Sequence, residues 1–297
     1  MEQVIHKLKT LEADDFRILT AIEKGMQKYK HVPISDIGDR TKFDLEFVNY
    51  LLDRLHKMEL INRWSAKYVG YHINQHGYDC LALNVLIQSD IIESFGKSVG
   101  IGKEADVYEG LTPTGDVVAI KFHRLGRTSF RQTKRLRGYT GDKHHLSWLY
   151  TSRLAAEKEY AALEVLYPLK IAVPKPYGQN RHIVVMSNIV GDDLSTIKEI
   201  KRPDKIFDKI LKNVKKTYQK AQIIHGDLSE FNIIITPKLE PLLIDWPQWV
   251  SITHPNALFY LERDITNTCN FFKRKFGILS EPQFLLEKIT QSSKIEM

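Results

Sequence analysis

The chain reads as an α+β protein in two parts: a small unit of three helices and a β-hairpin, then a two-lobed domain built around a polar loop. Three observations predict this. Residues 11–58 carry apolar side chains at helical spacing, and residues 60–73 hold two short β-like runs. Residues 96–123 read as strands joined by a glycine-rich turn and a Pro/Gly turn. In "IIHGDLSEFNIII", residues 223–235, charged and turn-forming residues interrupt two apolar runs.

"LEADDFRILTAIEKGMQKY" places Phe16, Leu19, Ile22 and Met26 at helical spacing, with Asp14 as the expected cap. "PISDIGDRT" predicts a second helix with Pro33 in its first turn. "FDLEFVNYLLDRLHKME" predicts a third over residues 44–58, with Phe47, Leu51, Leu55 and Met58 on one face. "LINRW" and "YVGYHI" then form a hairpin around residues 65–67. Three helices and a hairpin are the winged helix-turn-helix pattern, with Arg63 and Lys67 on the wing. The third helix mixes Asp44, Glu46, Asp53 and Glu59 with Arg54 and Lys57, so nucleic-acid contact and protein contact both stay open. The expected division is 1–82 for this unit, 83–95 for a linker helix, 96–189 for a first lobe and 190–297 for a second.

The global numbers set bounds. The 297 residues are 43% hydrophobic and 27% charged, with a net charge of +7, which favours acidic partners without specifying fold. No apolar run reaches the roughly 18 residues of a membrane span, so no membrane partner is expected. Cys80 and Cys269 have neither metal-ligand nor redox spacing, which points to a reducing, cytoplasmic setting. Positive charge collects at residues 123–145, where Arg124, Arg127, Arg131, Lys134, Arg135, Arg137 and Lys143 face one acid, Asp142. Gly126, Gly138 and Gly141 break any periodicity there, so this stretch reads as a basic loop.

The chemistry is carried by residues in a fixed order. "VYEGL" and "VVAIKFH" flank "TPTGD" as a hairpin, and ahead of them sit Gly100, Ile101 and Gly102 with Lys103. A glycine-rich turn lets backbone N–H groups approach phosphate oxygens closely, although a lone G-x-G also suits a plain hairpin. Lys121, on the strand that follows, can reach nucleotide phosphates. The helix "SWLYTSRLAAEKEYAALEVL" offers Glu157, Glu159 and Glu164 to hold that lysine. Glu159 is the expected partner because Leu154, Leu163 and Leu166 place it near the inner edge. Asp227 and Asn232 have the D-x-x-x-x-N spacing of a kinase catalytic loop, with Gly226 in place of the usual Arg. Asp245 ends the next strand, where the metal-binding Asp of D-F-G would stand, and the intervening hairpin should return it to Asn232. Two hard oxygen ligands there suit a Mg²⁺ ion bridging phosphates. The second part is therefore expected to be a two-lobed, truncated protein-kinase-like domain.

"GIGKEADVY", "IHGDLSEFN", "LIDWPQWV" and "THPNALFYLERD" resemble the RIO family of atypical serine/threonine protein kinases, and the winged helix points to its type-two subfamily. The resemblance covers essentially the whole chain. It implies that Asp227 is the catalytic Asp, that Asn232 and Asp245 hold the metal, and that Lys121 with Glu159 orients the phosphates. It implies a phosphate-binding turn of Gly100, Ile101, Gly102, Lys103, Glu104 and Ala105, with Val107 beyond it, and an adenine-holding hinge from Ser187 to Ile189. ATP with Mg²⁺, or Mn²⁺ in its place, is the implied cofactor set. The implied partner is the pre-ribosomal small subunit, through RNA or ribosomal proteins. The protein substrate is left open, autophosphorylation included.

Departures from the pattern are visible. Ala105 stands where the family is expected to carry Ser, and "DWP" replaces D-F-G. Fifty-two residues follow Asp245, too few for an activation segment and the helices that normally seat a peptide. Two rivals remain at this level. "HGD…N" and "IDW" also resemble aminoglycoside- and choline-kinase-type phosphotransferases, but the basic "FFKRKFG" argues against an acidic pocket for a cationic substrate. A nucleotide-gated RNA-binding module is the other, separable by comparing phosphate release with transfer to protein.

Overall fold

A computed structural model describes residues 1–125 and 148–291. It divides into two compact units, residues 1–90 and 91–297. The basic loop expected at 123–145 lies outside the described residues from position 126 onward.

The first unit contains helices α1 (Glu2–Thr10) and α2 (Ala13–Gly25), strand β1 (Val32–Pro33), and helices α3 (Ile34–Thr41) and α4 (Leu45–Lys57). Strands β2 (Ile61–Ser65) and β3 (Val69–Ile73) and helix α5 (Gln75–Gln88) complete it. The strands form one antiparallel sheet in the order β1-β3-β2. This is the winged-helix arrangement, with two differences in detail. Helix α2 is capped not by Asp14 but by Glu12, whose carboxylate accepts the N–H of Asp15 while the Asp15 carboxylate accepts that of Glu12. Helix α4 is capped by Asp44, which accepts the Phe47 N–H at 2.9 Å. Its buried stripe is Val48, Leu51, Leu52 and Leu55, leaving Phe47 and Met58 half-buried. Each fully buried aliphatic side chain contributes roughly 1.5–3 kcal/mol, enough to set that rotation.

Helix α5 crosses the expected boundary at 82/83. Tyr78, Cys80, Leu81, Ala82, Leu83 and Leu86 are all buried, which makes it a core helix of the first unit rather than a linker. Gly77 permits this packing: a Cβ there would stand 2.2 Å from the Leu60 carbonyl oxygen.

The second unit opens with β4 (Ser94–Ile101), β5 (Ala105–Leu111) and β6 (Val117–His123), followed by helix α6 (Trp148–Leu166). With β7 (Pro176–Asn180) and β8 (Ile183–Ser187) these strands make a five-stranded antiparallel sheet in the order β4-β5-β6-β8-β7. The second lobe contains β9 (Asp192–Asp193), α7 (Pro203–Lys216), β10 (Ile223–Ile224), β11 (Ile233–Ile235), β12 (Pro241–Leu243) and β13 (Val250–Ser251). Helices α8 (Ala257–Phe276) and α9 (Pro282–Thr290) close it. Ala156, Leu163 and Leu166 of α6 and Val184 of β8 share one core with Ile210, Trp246, Leu261 and Phe272. The two lobes therefore meet along continuous apolar packing, and the polar groups of the loops gather at its edge. Among the described residues, no helix is long and apolar enough to cross a membrane.

Candidate active site

Strand alternation positions the first group. Successive side chains of β6 point to opposite faces, so Lys121 and His123 share one face. Both meet the same carboxylate: Lys121 Nζ lies 2.8 Å from Glu159 Oε1, and His123 Nε2 lies 2.7 Å from Glu159 Oε2. Glu159 is 1% exposed because Ala155, Ala156, Ala162 and Leu163 put its side of α6 in the core. Glu157 points elsewhere and pairs with Arg153 on the surface.

Lys121 Nζ also lies 2.6 Å from Asp245 Oδ1. Burial works against the charged lysine, but Asp245 and Glu159 outweigh it and raise its pKa above the ordinary range. Burial alone would raise the Glu159 carboxyl. Lys121 and the hydrogen bond with His123 instead hold it at about 2. The Glu159 carboxylate also takes the Trp246 N–H at 3.4 Å, which ties the helix to the residue after Asp245.

The loop that interrupts the core is arranged by the β11–β12 hairpin. Ile233 pairs with Leu243, and the Ile244 N–H donates to the Asn232 carbonyl at 3.0 Å, so Asn232 and Asp245 return to one place. Asp245 has φ +66, a left-handed conformation rare for a residue with a side chain. Buried Trp246 donates its indole N–H to the Leu243 carbonyl, and Asn232 Nδ2 donates to the Asp227 carbonyl at 2.8 Å.

Gly226 explains the departure from His-Arg-Asp. Its φ is +76, and a Cβ would stand 2.7 Å from the Gln248 carbonyl oxygen. The loop is held from beneath by Asp264 of α8, which accepts the Gly226 N–H at 2.8 Å and the Leu228 N–H at 3.0 Å. Arg263 donates to the Gly226 carbonyl, and His225 Nε2–H donates to the Ile244 carbonyl at 2.9 Å. Asp227 itself is exposed at the loop's edge. Partial burial raises its carboxyl pKa; Arg263 opposes the shift, and Asp245 and Glu104 add to it.

The glycine-rich turn joins β4 to β5. Gly102 N–H donates to the Ala105 carbonyl at 2.8 Å, and Ile101, Gly102, Lys103 and Glu104 are exposed. Neither Gly100 nor Gly102 has a positive φ. The open space where a Gly100 Cβ would sit is what gives close access to the backbone. Val107 stands directly across from Lys121 in the β5–β6 pair, and Ala105 across from His123. At the other edge, the Ser187 N–H donates to the Lys175 carbonyl and the Asn188 N–H to the Val117 carbonyl. That fixes the strand leading to Ile189.

His123, Arg263 and Asp264 were not singled out by sequence reasoning. A signal existed for His123, two positions from Lys121 on the same strand. Asp264 acts across 38 residues and has no local spacing to betray it.

A two-lobed fold carrying a strand lysine, a helix glutamate and a hairpin-joined Asn/Asp pair defines a kinase-like phosphotransferase. Comparison with known proteins narrows this. A RIO domain model matches residues 106–284, and a "Rio2, N-terminal" model matches residues 8–89. The RIO-type serine/threonine-protein kinase Rio2 of Methanocaldococcus jannaschii is 42% identical over 84% of this chain and 92% of its own length. The serine/threonine-protein kinase RIO2 of Caenorhabditis elegans is 40% identical over 94% of this chain, which spans about half (53%) of that longer relative. The crystal structure of the Rio2 kinase–ADP/Mg²⁺–phosphoaspartate complex from Chaetomium thermophilum superposes with a TM-score of 0.83 at 33% identity. It covers 97% of this chain and 89% of that one. The chain belongs to the RIO family of serine/threonine protein kinases, in its Rio2 branch.

Proposed function

We propose that this kinase transfers the terminal phosphoryl group of ATP to a serine or threonine hydroxyl, and that it does so during maturation of the small ribosomal subunit. The observation that carries the chemical reading is the triad of Lys121 with Glu159 at 2.8 Å and Asp245 at 2.6 Å. Glu159, itself held by His123, keeps the lysine in place, so its charge faces the phosphates without reorganising during transfer. Asp227, with its raised pKa, accepts the hydroxyl proton as the nucleophile attacks, and a carboxylate closer to neutrality is the better base. The turn from Gly100 to Ala105 offers backbone N–H groups to the phosphates. The Ser187 carbonyl and Ile189 amide are the hinge groups proposed for adenine.

The residues present fit a magnesium ion. Asn232 commits its amide nitrogen to the Asp227 carbonyl, which leaves its oxygen as the ligand beside the Asp245 carboxylate. Such hard oxygen donors suit Mg²⁺ or Mn²⁺, and Mg²⁺ takes its remaining ligands from phosphate and water. When bound, the ion neutralises developing phosphate charge.

Ten residues separate Trp246 from α8, too few for a peptide-seating segment, and this favours ATP hydrolysis as a second activity. The phosphoaspartate in the Chaetomium thermophilum complex suggests its course. A carboxylate oxygen attacks the terminal phosphorus, the bond to the ADP oxygen breaks, and water later releases inorganic phosphate. Asp227 and Asp245 are the two carboxylates proposed for it. The test is to measure, with purified protein and Mg-ATP, phosphate release alongside phosphate transfer to protein and to itself. The absence of both would sink the proposal.

For partners, the proposal is RNA or ribosomal proteins of the pre-ribosomal small subunit. The basic residues of the 123–145 stretch and the winged helix support this reading.

A further inference from the structure

Arg124, the residue after β6, is buried to 2% exposure, a place where arginine is found only when paired. Its Nε donates to Asp106 Oδ2 at 3.1 Å, its Nη1 meets His182 Nε2 at 3.1 Å, and its guanidinium lies 4.8 Å from the Phe122 ring centroid. Its backbone N–H donates to the Glu104 carbonyl at 2.7 Å. Arg124 thus holds the exit of the glycine-rich turn twice, once by main chain at Glu104 and once by side chain at buried Asp106.

The position is set by alternation along the strand. Lys121 and His123 face α6, and Arg124 falls on the opposite side with Phe122, behind the turn and away from the cleft. The Gly102–Ala105 hydrogen bond fixes the turn's internal shape but ties it to nothing else. The β4–β5 and β5–β6 ladders hold its two ends, and the Arg124 contacts add a directional anchor at Glu104 and Asp106. A buried ion pair adds little net stability over apolar packing, whereas a planar guanidinium fork is directional. Orientation is what this pair supplies.

We propose that Arg124 and Asp106 are positioning residues for phosphate binding, anchoring the glycine-rich turn over the nucleotide phosphates without touching them. This rests on the nucleotide site proposed above. The experiment is calorimetric titration of Mg-ADP and of adenosine, which has no phosphates to meet the turn. It uses the full chain, Asp106→Asn, Arg124→Lys and the double variant Asp106→Asn/Arg124→Gln.

Asp106→Asn and Arg124→Lys should each weaken Mg-ADP about tenfold while leaving adenosine within about twofold. Lysine should not rescue, since it keeps the charge and loses the fork. The double variant removes both members of the pair together, so it reads the same loss even where a single variant fails to fold. Amide hydrogen exchange over residues 102–105 should quicken in step. A folded variant that binds Mg-ADP like the parent overturns the anchor. So does adenosine affinity falling together with Mg-ADP, or a double variant that does not fold, since either makes the pair a stability element. Failure of the parent to bind Mg-ADP sinks the site reading instead, and the two failures are distinguishable.

Discussion

Lys121 and Asp245, 124 residues apart, meet at 2.6 Å, and Glu159 completes the group from a third element. The strand, helix and hairpin that bring them together have no local sequence in common. Their meeting is a product of the fold, and each partner can be tested separately.

Asp227→Ala and Asp245→Ala are expected to abolish phosphoryl transfer by different routes. Replacing Asp245 removes a proposed metal ligand and should weaken Mg²⁺-dependent nucleotide binding. Replacing Asp227 should leave that binding near the parent's and lower turnover by about 10²–10⁴-fold. Titration with Mg-ADP and steady-state kinetics separate the two. Normal turnover in Asp227→Ala would remove the kinase-type assignment of this loop.

Glu159 should matter far more than Glu157. Removing one partner of a buried ion pair costs about 3–5 kcal/mol, whereas an exposed pair such as Arg153–Glu157 is worth under about 1 kcal/mol. Glu159→Gln should also raise KM for ATP, because it weakens a direct partner of Lys121, and His123→Phe should do so more mildly, because it frees only the Glu159 carboxylate. Equal effects at 157 and 159 in thermal melts and kinetics would refute the helix face assigned here.

Motif spacing and strand–turn–strand order made Lys121, Glu159, Asn232 and Asp245 legible in the sequence, because each local pattern carries its own geometry. Other features lacked such patterns. Strand β7 contains Pro176 and Gly178, neither a strand-favouring residue, and it lies at the sheet edge where proline is tolerated. Helix α5 scatters Gln75, His76, Asp79, Asn84 and Gln88 among its apolar residues and so shows no one-sided stripe, which leaves its membership of the first core without a local signal. Asp264 supports the catalytic loop from α8, and only the tertiary fold could assign that task.

Asp264→Asn should lower kcat roughly 10–100-fold with little change in KM for ATP. Its two oxygens accept two backbone N–H groups, and an amide can accept only one of them without opposing donor to donor. A variant with unchanged kcat would show that the loop holds its shape without this support.

The pH dependence of stability carries two opposite signs. Glu159 is held at about 2, below its ordinary 4.5, so its contribution is present above about 4.5 and lost as pH falls toward 2. Burial pushes Asp264 up to about 7 from 3.8, against the backbone hydrogen bonds from Leu228 and Gly226. Its contribution is therefore full below 3.8 and lost as pH rises through about 7. Melting temperatures of the parent should fall relative to Asp264→Asn between about pH 4 and pH 7, with the difference constant above. A difference independent of pH would contradict this assignment.

RNA contact by the basic stretch at 123–145 is testable through salt. With Arg124 buried against Asp106, the six other Lys and Arg residues against the single Asp142 suit a phosphate backbone, and each phosphate contact releases condensed counterions. The logarithm of affinity should then fall linearly with the logarithm of salt concentration. Changing Arg131, Lys134, Arg135 and Arg137 to Ala removes four charges and should reduce that slope by about 3 for single-stranded RNA, at roughly 0.7 per contact. Affinity for Mg-ADP should not change, because none of the four belongs to the proposed nucleotide site. Fluorescence anisotropy on a labelled small-subunit rRNA fragment, across a salt series, gives both affinity and slope. An unchanged slope in the quadruple variant would make this stretch a solvated linker and leave RNA contact to the winged helix.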